Sequence, residues 1–175
     1  MEEKKLKVEA SKLITDFEEL NLKSNKKVLD LACGSGRNGL WFVERGDNVT
    51  FIDRSLAGLN KRPNGHRYLE WDLEISTAPN LPVEEYDVVL VFNYLHRPLF
   101  PQIKAAIKPG GLIIYETFIE KQAEIGRPRN PNFLLKQHEL KSEFDHWSCL
   151  HYFEGKVFNS STMSQKAQLI ARKPL

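Results

Sequence analysis

Val28-Leu29-Asp30-Leu31-Ala32-Cys33-Gly34-Ser35-Gly36-Arg37-Asn38-Gly39 is the stretch on which the fold turns. An apolar run ends near an acid, passes through small residues and opens into Leu40-Trp41-Phe42-Val43, a pattern of helical type. This predicts a strand, a tight glycine turn and the start of a helix. Gly34 and Gly36 adopt φ > 0 at little cost and carry no Cβ, so another molecule can approach the backbone closely. The helix start adds unpaired N–H groups that favour negative charge. The stretch therefore predicts a nucleotide-type ligand site.

Outward from the turn, strands and helices alternate. The helix runs to about residue 45, with Gly46 as its stop, and Asn48-Val49-Thr50-Phe51-Ile52-Asp53 forms a second strand. A short helix is expected over 55–61 and a third strand over 66–72, ending at Asp72. Tyr86-Asp87-Val88-Val89-Leu90-Val91-Phe92 is a continuous apolar run, as a parallel strand buried on both faces requires. A helix over 98–108, the turn Pro109-Gly110-Gly111 and a fifth strand over 112–118 follow. Beyond them lie an irregular cationic loop (119–132), expected over the ligand edge as the substrate loop, a helix over 133–144 and two final strands, 147–153 and 163–172. Turns at Glu154-Gly155 and Ser160-Ser161 join those strands. Leu6, Ala10, Leu13, Phe17 and Leu20 make 1–24 an amphipathic N-terminal helix, either packed on the flank or covering the ligand site. The expected fold is α/β and three-layered: a doubly wound, mostly parallel seven-stranded sheet with one antiparallel edge strand. Ligands of such sheets lie beyond the carboxyl ends of the strands. Asp30, Asp53, Asp72 and Asn93 fall at or near successive ends and are expected along one rim.

At 175 residues the chain fits a single domain, 1–175, and its net charge of +2 gives no argument for nucleic acid. Cys33 and Cys149 form neither a disulfide framework nor a metal pattern, which suits a reducing cytoplasm. Met1-Glu2-Glu3-Lys4-Lys5 leads into no signal-peptide core, and no apolar stretch reaches membrane-spanning length. His66, His138, His146 and His151 show no metal-ligand spacing, so no metal is expected.

Gly34-Ser35-Gly36-Arg37-Asn38-Gly39 also matches the dinucleotide pattern G-x-G-x-x-G, with Asp53 near the position of a ribose-binding acid. Asp30 argues against a pyrophosphate, because an acid before the turn repels it. S-adenosylmethionine instead brings an amino group and a sulfonium there, and Asp72 can pair with an adenine amino group. Asp30 has a second reading, as a cap of the turn's own N–H groups. Asp53 can equally be a strand-end turn residue, and Asp72 can start a helix.

Asp30-Leu31-Ala32-Cys33-Gly34-Ser35-Gly36 resembles the glycine-rich first motif of the class I S-adenosylmethionine-dependent methyltransferases, with Ala32 where the family often has glycine. Asp53, Asp72-Leu73, Phe92-Asn93 and Lys108-Pro109-Gly110-Gly111 resemble the later motifs, in order, over about 28–118. Gly36-Arg37-Asn38-Gly39-Leu40-Trp41 is similar to the small subgroup related to tellurite-resistance methyltransferases. The resemblance implies a Rossmann-like methyltransferase fold and S-adenosylmethionine as cofactor, with S-adenosylhomocysteine as product. It implies cofactor contacts from Asp30, Ala32, Gly34, Gly36, Asn38, Asp53, Arg54, Asp72, Leu73 and Asn93. In the family the second-strand acid binds the ribose hydroxyls, and the fourth-strand position lies beside the methionine moiety.

Methyl transfer asks mainly for a near-attack geometry, and for a base only when the acceptor keeps its proton. His96 and Tyr94 are the catalytic candidates, His96 by position and titration range, with a backbone- or water-bonded histidine as the alternative. Arg97, Tyr115, Arg127 and Arg129 are the acceptor-binding candidates, the arginines as an anion clamp or as solvated charges. No Asn-Pro-Pro-aromatic segment follows the fourth strand, unlike in amino methyltransferases acting on adenine or glutamine. The expected acceptor is therefore a small-molecule nucleophile. An RNA or protein acceptor touching Arg127, Arg129 and Lys136 is the second reading, and a non-catalytic S-adenosylmethionine-binding or partner subunit the third.

Overall fold

The computed structural model describes residues 9–22, 25–159 and 162–175. Seven strands form one sheet: β1 (Lys27–Leu31), β2 (Asn48–Asp53), β3 (Arg67–Glu70), β4 (Tyr86–Phe92), β5 (Ile107–Phe118), β6 (Ser148–Asn159) and β7 (Thr162–Arg172). Their order is β3-β2-β1-β4-β5-β7-β6. The first five are mutually parallel, and β7 runs antiparallel between β5 and β6. The antiparallel region is thus at the expected end of the sheet, with β6 outside β7 as the edge itself.

Alternation along the strands explains the layering. Leu29, Leu31, Val89, Val91 and Ile113 turn to one face, where α3 (Phe100–Ala106) and α5 (Glu139–Glu143) supply Phe100, Ile103 and Leu140. Val28, Val49, Phe51, Leu90 and Ile114 turn to the other, against Phe42 of α2 (Arg37–Val43) and against Leu13, Ile14 and Leu20. Burial on both faces is why these strands read as unbroken apolar runs. The chain winds outward from β1 to β3 on one side and from β4 to β5 on the other. The switch point therefore lies between β1 and β4, and a crevice opens there at the carboxyl ends.

Several elements are shorter than their spacing predicts. The N-terminal helix survives as α1 (Lys12–Thr15), started by Ser11, and a 3-10 turn over Glu18–Asn21. Leu6 lies outside the described residues. Only Leu56–Gly58, another 3-10 turn, is helical after β2. The helix expected over 133–144 is a 3-10 turn (Pro131–Phe133) followed by α5, because Leu135 is drawn into a β-bridge with Ile119. The loop before it contains α4 (Gln122–Ile125) and a cis Arg127–Pro128 bond. Glu154 and Gly155 are no turn: β6 runs straight through them, and 160–161 lie outside the described residues. Among the described residues no helix is long and apolar enough to cross a membrane.

Candidate active site

A cleft of about 480 Å³ opens at the switch point, within the range of small-molecule sites. Its floor is Ala32 and Ile52, beyond and within β1 and β2. One flank is Asp53, Arg54, Trp71, Asp72, Leu73 and Glu74, and the other is Asn93, Tyr94, Leu95, Thr117 and Phe118. Pro128 and Phe133 also contribute to its wall.

Asp53 is the best oriented of the polar groups. Its Oδ2 accepts the Gly34 N–H at 2.8 Å and its Oδ1 the Ser55 N–H at 3.1 Å, so the glycine turn and the β2 end are tied together. Each oxygen keeps a lone pair for a further donor. Gly34 has φ +54°, and a Cβ there would meet no atom within 4 Å, so the space above the turn is open. Ala32 and Asn93 also hold left-handed φ, 53° and 54°, at the two sides of the crevice. Asn93 is anchored by its N–H to the Glu116 carbonyl at 2.8 Å. Asp72 lies past the end of β3, which stops at Glu70, and its Oδ1 accepts the Glu74 N–H at 3.0 Å. Three carboxylates (Asp53, Asp72, Glu74) against one guanidinium (Arg54) give this flank a negative bias that suits a cationic ligand.

Other predicted residues stand elsewhere. Asp30 is not on the rim. It sits within β1, level with Phe51 and Leu90, only 3 % exposed, and its Oδ2 accepts the Gly39 N–H at 2.9 Å. Burial pushes its carboxyl up to about 7, against the Gly39 N–H and Arg37, which pull it down. The first turn of α2 is thus occupied from within. Asn38 is buried as well, its Oδ1 accepting the Ser11 N–H at 2.9 Å, while Arg37 donates to the Glu9 carbonyl at 3.0 Å. Together they fasten the N-terminal segment across the start of α2. Gly36 is pressed against the protein: a Cβ there would lie 2.1 Å from Leu59 Cδ1.

On the acceptor side, Tyr94 lines the cleft and His96 does not. Burial, then the Glu74 carboxylate beside it, raises the Tyr94 phenol, which stays protonated at neutral pH. Tyr115 is 1 % exposed, and its hydroxyl donates to the Tyr94 carbonyl at 2.9 Å, so it supports the wall from behind. Arg97, expected in an anion clamp, is committed to Glu139 and to two loop carbonyls. Arg127 and Arg129 are exposed on the loop beside Pro128. Sequence reasoning missed Ile52, Trp71, Glu74, Thr117, Phe118 and Phe133 as wall residues, while Pro128 falls in the loop expected over the ligand edge. Trp71 had a signal, an aromatic beside a strand-end acid; Phe133, just past that loop, had none.

The methyltransferase-domain family matches residues 3–168. The curated protein "Probable S-adenosyl-L-methionine-dependent methyltransferase TehB" of Haemophilus influenzae is 31% identical over 170 residues, covering 84% of this chain and 57% of that protein. Ribosomal protein L11 methyltransferase of Shewanella halifaxensis is 34% identical over 107 residues, 58% of this chain and 36% of its own. The chain spans about half the length or less of these relatives. The crystal structure of TehB from Haemophilus influenzae superposes with a TM-score of 0.72 at 23% identity, covering 92% of this chain and 61% of that one. The matched span takes in every strand from β1 to β6 and most of β7, and the chain belongs to the class I S-adenosylmethionine-dependent methyltransferases, closely related to their TehB subgroup.

Proposed function

We propose that the protein transfers a methyl group from S-adenosylmethionine to a small-molecule nucleophile, in line and without a histidine base. The observation that carries this reading is the cleft itself: a small-molecule-sized space with an acid-biased flank at one side, and with Pro128 and Phe133 from the loop region contributing to its wall. S-adenosylmethionine supplies a methyl group already activated by a sulfonium. The residues present fit it. Asp53 would hold the ribose hydroxyls, Asp72 the adenine amino group, and Trp71 and Leu73 would supply flat apolar wall. Ala32 and Asn93 would border the methionine end. Gly36, Asn38 and Asp30 would serve this ligand only indirectly, by shaping the turn and α2.

At the acceptor end Tyr94 is a proton-bearing phenol, so it donates a hydrogen bond and holds the acceptor rather than deprotonating it. With His96 off the cleft wall, the acceptor must be nucleophilic at neutral pH by itself. Thiols and selenium- or tellurium-type nucleophiles meet that condition. A macromolecular acceptor is the second reading, favoured by the exposed Arg127, Arg129 and Lys136 beside the opening.

Labelled S-adenosylmethionine, incubated with thiols, amines, carboxylates, chalcogen oxyanions and small RNA, tests the reading. Label is expected in a thiol or chalcogen product, and label confined to RNA or protein overturns it. Asp53→Ala is expected to weaken S-adenosylmethionine binding by on the order of 1–3 kcal/mol, since a hydroxyl loses a charged partner. Unchanged affinity in a calorimetric titration would remove Asp53 from the site. His96→Ala is expected to keep turnover within about twofold, because a base must reach the proton it takes. A large drop in kcat with normal cofactor affinity would restore His96 as the base.

A further inference from the structure

We propose that Arg97 is a positioning residue that pins residues 132–136 over the acceptor end, and so sets acceptor affinity while leaving donor affinity alone. Arg97 starts the 3-10 turn Arg97–Leu99, one residue beyond the cleft residues Asn93, Tyr94 and Leu95. Its guanidinium spends its donors on one distant segment. Nε reaches Glu139 Oε1 at 2.6 Å and Nη2 reaches Glu139 Oε2 at 3.0 Å. Nη2 also donates to the Leu134 carbonyl at 2.8 Å, and Nη1 to the Asn132 carbonyl at 3.2 Å.

Asn132 and Leu134 flank Phe133, which lines the cleft yet is 46 % exposed. An aromatic ring so open to solvent is held by its backbone rather than by packing around it. Glu139 extends the same clamp, since its Oε2 also accepts the Lys136 N–H at 2.7 Å. Burial pushes the Glu139 carboxyl up, but the Arg97 and Lys136 bonds outweigh it, leaving it below its ordinary range and ionised at neutral pH. The start of the loop has its own anchor: buried Gln122 donates to the Arg127 carbonyl at 2.8 Å and accepts the Gln165 N–H of β7 at 2.8 Å. Residues 128–131 bridge the two anchors. Because the Arg97–Glu139 pair is still partly exposed, its value lies less in Coulomb energy than in forked geometry, which fixes two carbonyls and a carboxylate at once. Lysine, a single point charge, cannot reproduce that fork.

The link to acceptor affinity rests on the proposed function; the pinning does not. Arg97→Lys and Arg97→Met are compared with the parent protein in three measurements: S-adenosylmethionine affinity by calorimetry, trypsin cleavage after Arg129 with amide exchange over 132–136, and steady-state methylation of dithiothreitol. Trypsin reports on Arg129 because Pro128 protects the bond after Arg127. In Arg97→Met, cleavage and exchange are expected to quicken by at least about tenfold. The dithiothreitol KM is expected to rise by about tenfold or more, with kcat within about threefold and donor affinity unchanged. Arg97→Lys should fall between the two, and carries the test if Arg97→Met does not fold. Unchanged cleavage and exchange overturn the pinning. A loss of donor affinity matching the loss of acceptor affinity overturns the division of roles. If the parent protein does not methylate dithiothreitol, dithiothreitol is what fails as an acceptor, and cleavage and exchange still decide for or against Arg97.

Discussion

Replacing Asp30 by Asn is expected to stabilise the protein above neutral pH by on the order of 4 kcal/mol, and by little below about pH 4. Burial raises the Asp30 carboxyl from its ordinary 3.8 to about 7 in the folded chain. Between those values the native state keeps a proton that the unfolded chain releases. Native protein therefore binds more protons, and stability falls as pH rises through the window, with the loss complete above it. Asparagine is neutral throughout and keeps an oxygen for the Gly39 N–H, the bond that ties β1 to α2. Urea unfolding of both proteins from pH 4 to pH 8 reads the difference directly. A constant offset would show Asp30 to be ionised across the range, held by the Gly39 N–H and Arg37.

Gly36→Val is expected to destabilise the fold by about 2–5 kcal/mol, combining a left-handed backbone that disfavours L side chains with overpacking. At φ +71° the new Cβ would fall 2.1 Å from Leu59 Cδ1 and 3.3 Å from Phe51 Cε1, both buried. The thermal midpoint should drop by roughly 5–20 °C. The crowding is with the protein, not with the open space over the turn, so cofactor binding should fail through displacement of the turn. A double-mutant cycle isolates this. Leu59→Ala removes the colliding methyl, so Gly36→Val with Leu59→Ala should be less destabilised than the two single changes added together, by on the order of 1–3 kcal/mol. Strict additivity would place the whole cost in the backbone conformation.

The parallel strands were the most legible part of the chain. Val88-Val89-Leu90-Val91-Phe92 is buried on both faces, and nothing but a central strand asks for that run. Helices were read less well, because apolar spacing says which side is buried rather than where helical hydrogen bonding stops. Leu135 illustrates this: its N–H goes to the Phe118 carbonyl, breaking a helix that periodicity extends. Asp53, Asp72 and Asn93 were legible as residues of the cleft wall because each ends or follows one of the mutually parallel strands β2, β3 and β4. Arg97 read as a free cation because Glu139 stands 42 positions away, and no local pattern pairs them.

The succession of strands along the chain and the glycine turn after β1 were determined by the sequence alone, because hydrophobic period and turn chemistry are local properties of a chain, and the family was legible through the resemblance of its motifs. Which polar side chains face the cleft was decided only in three dimensions. Asp30 and Asp53 look alike along the chain, yet one lies inside β1 beneath α2 and the other at the open end of β2. Pleat, strand length and partners brought from afar separate them: a side chain's direction depends on where its strand stops and on what packs across from it.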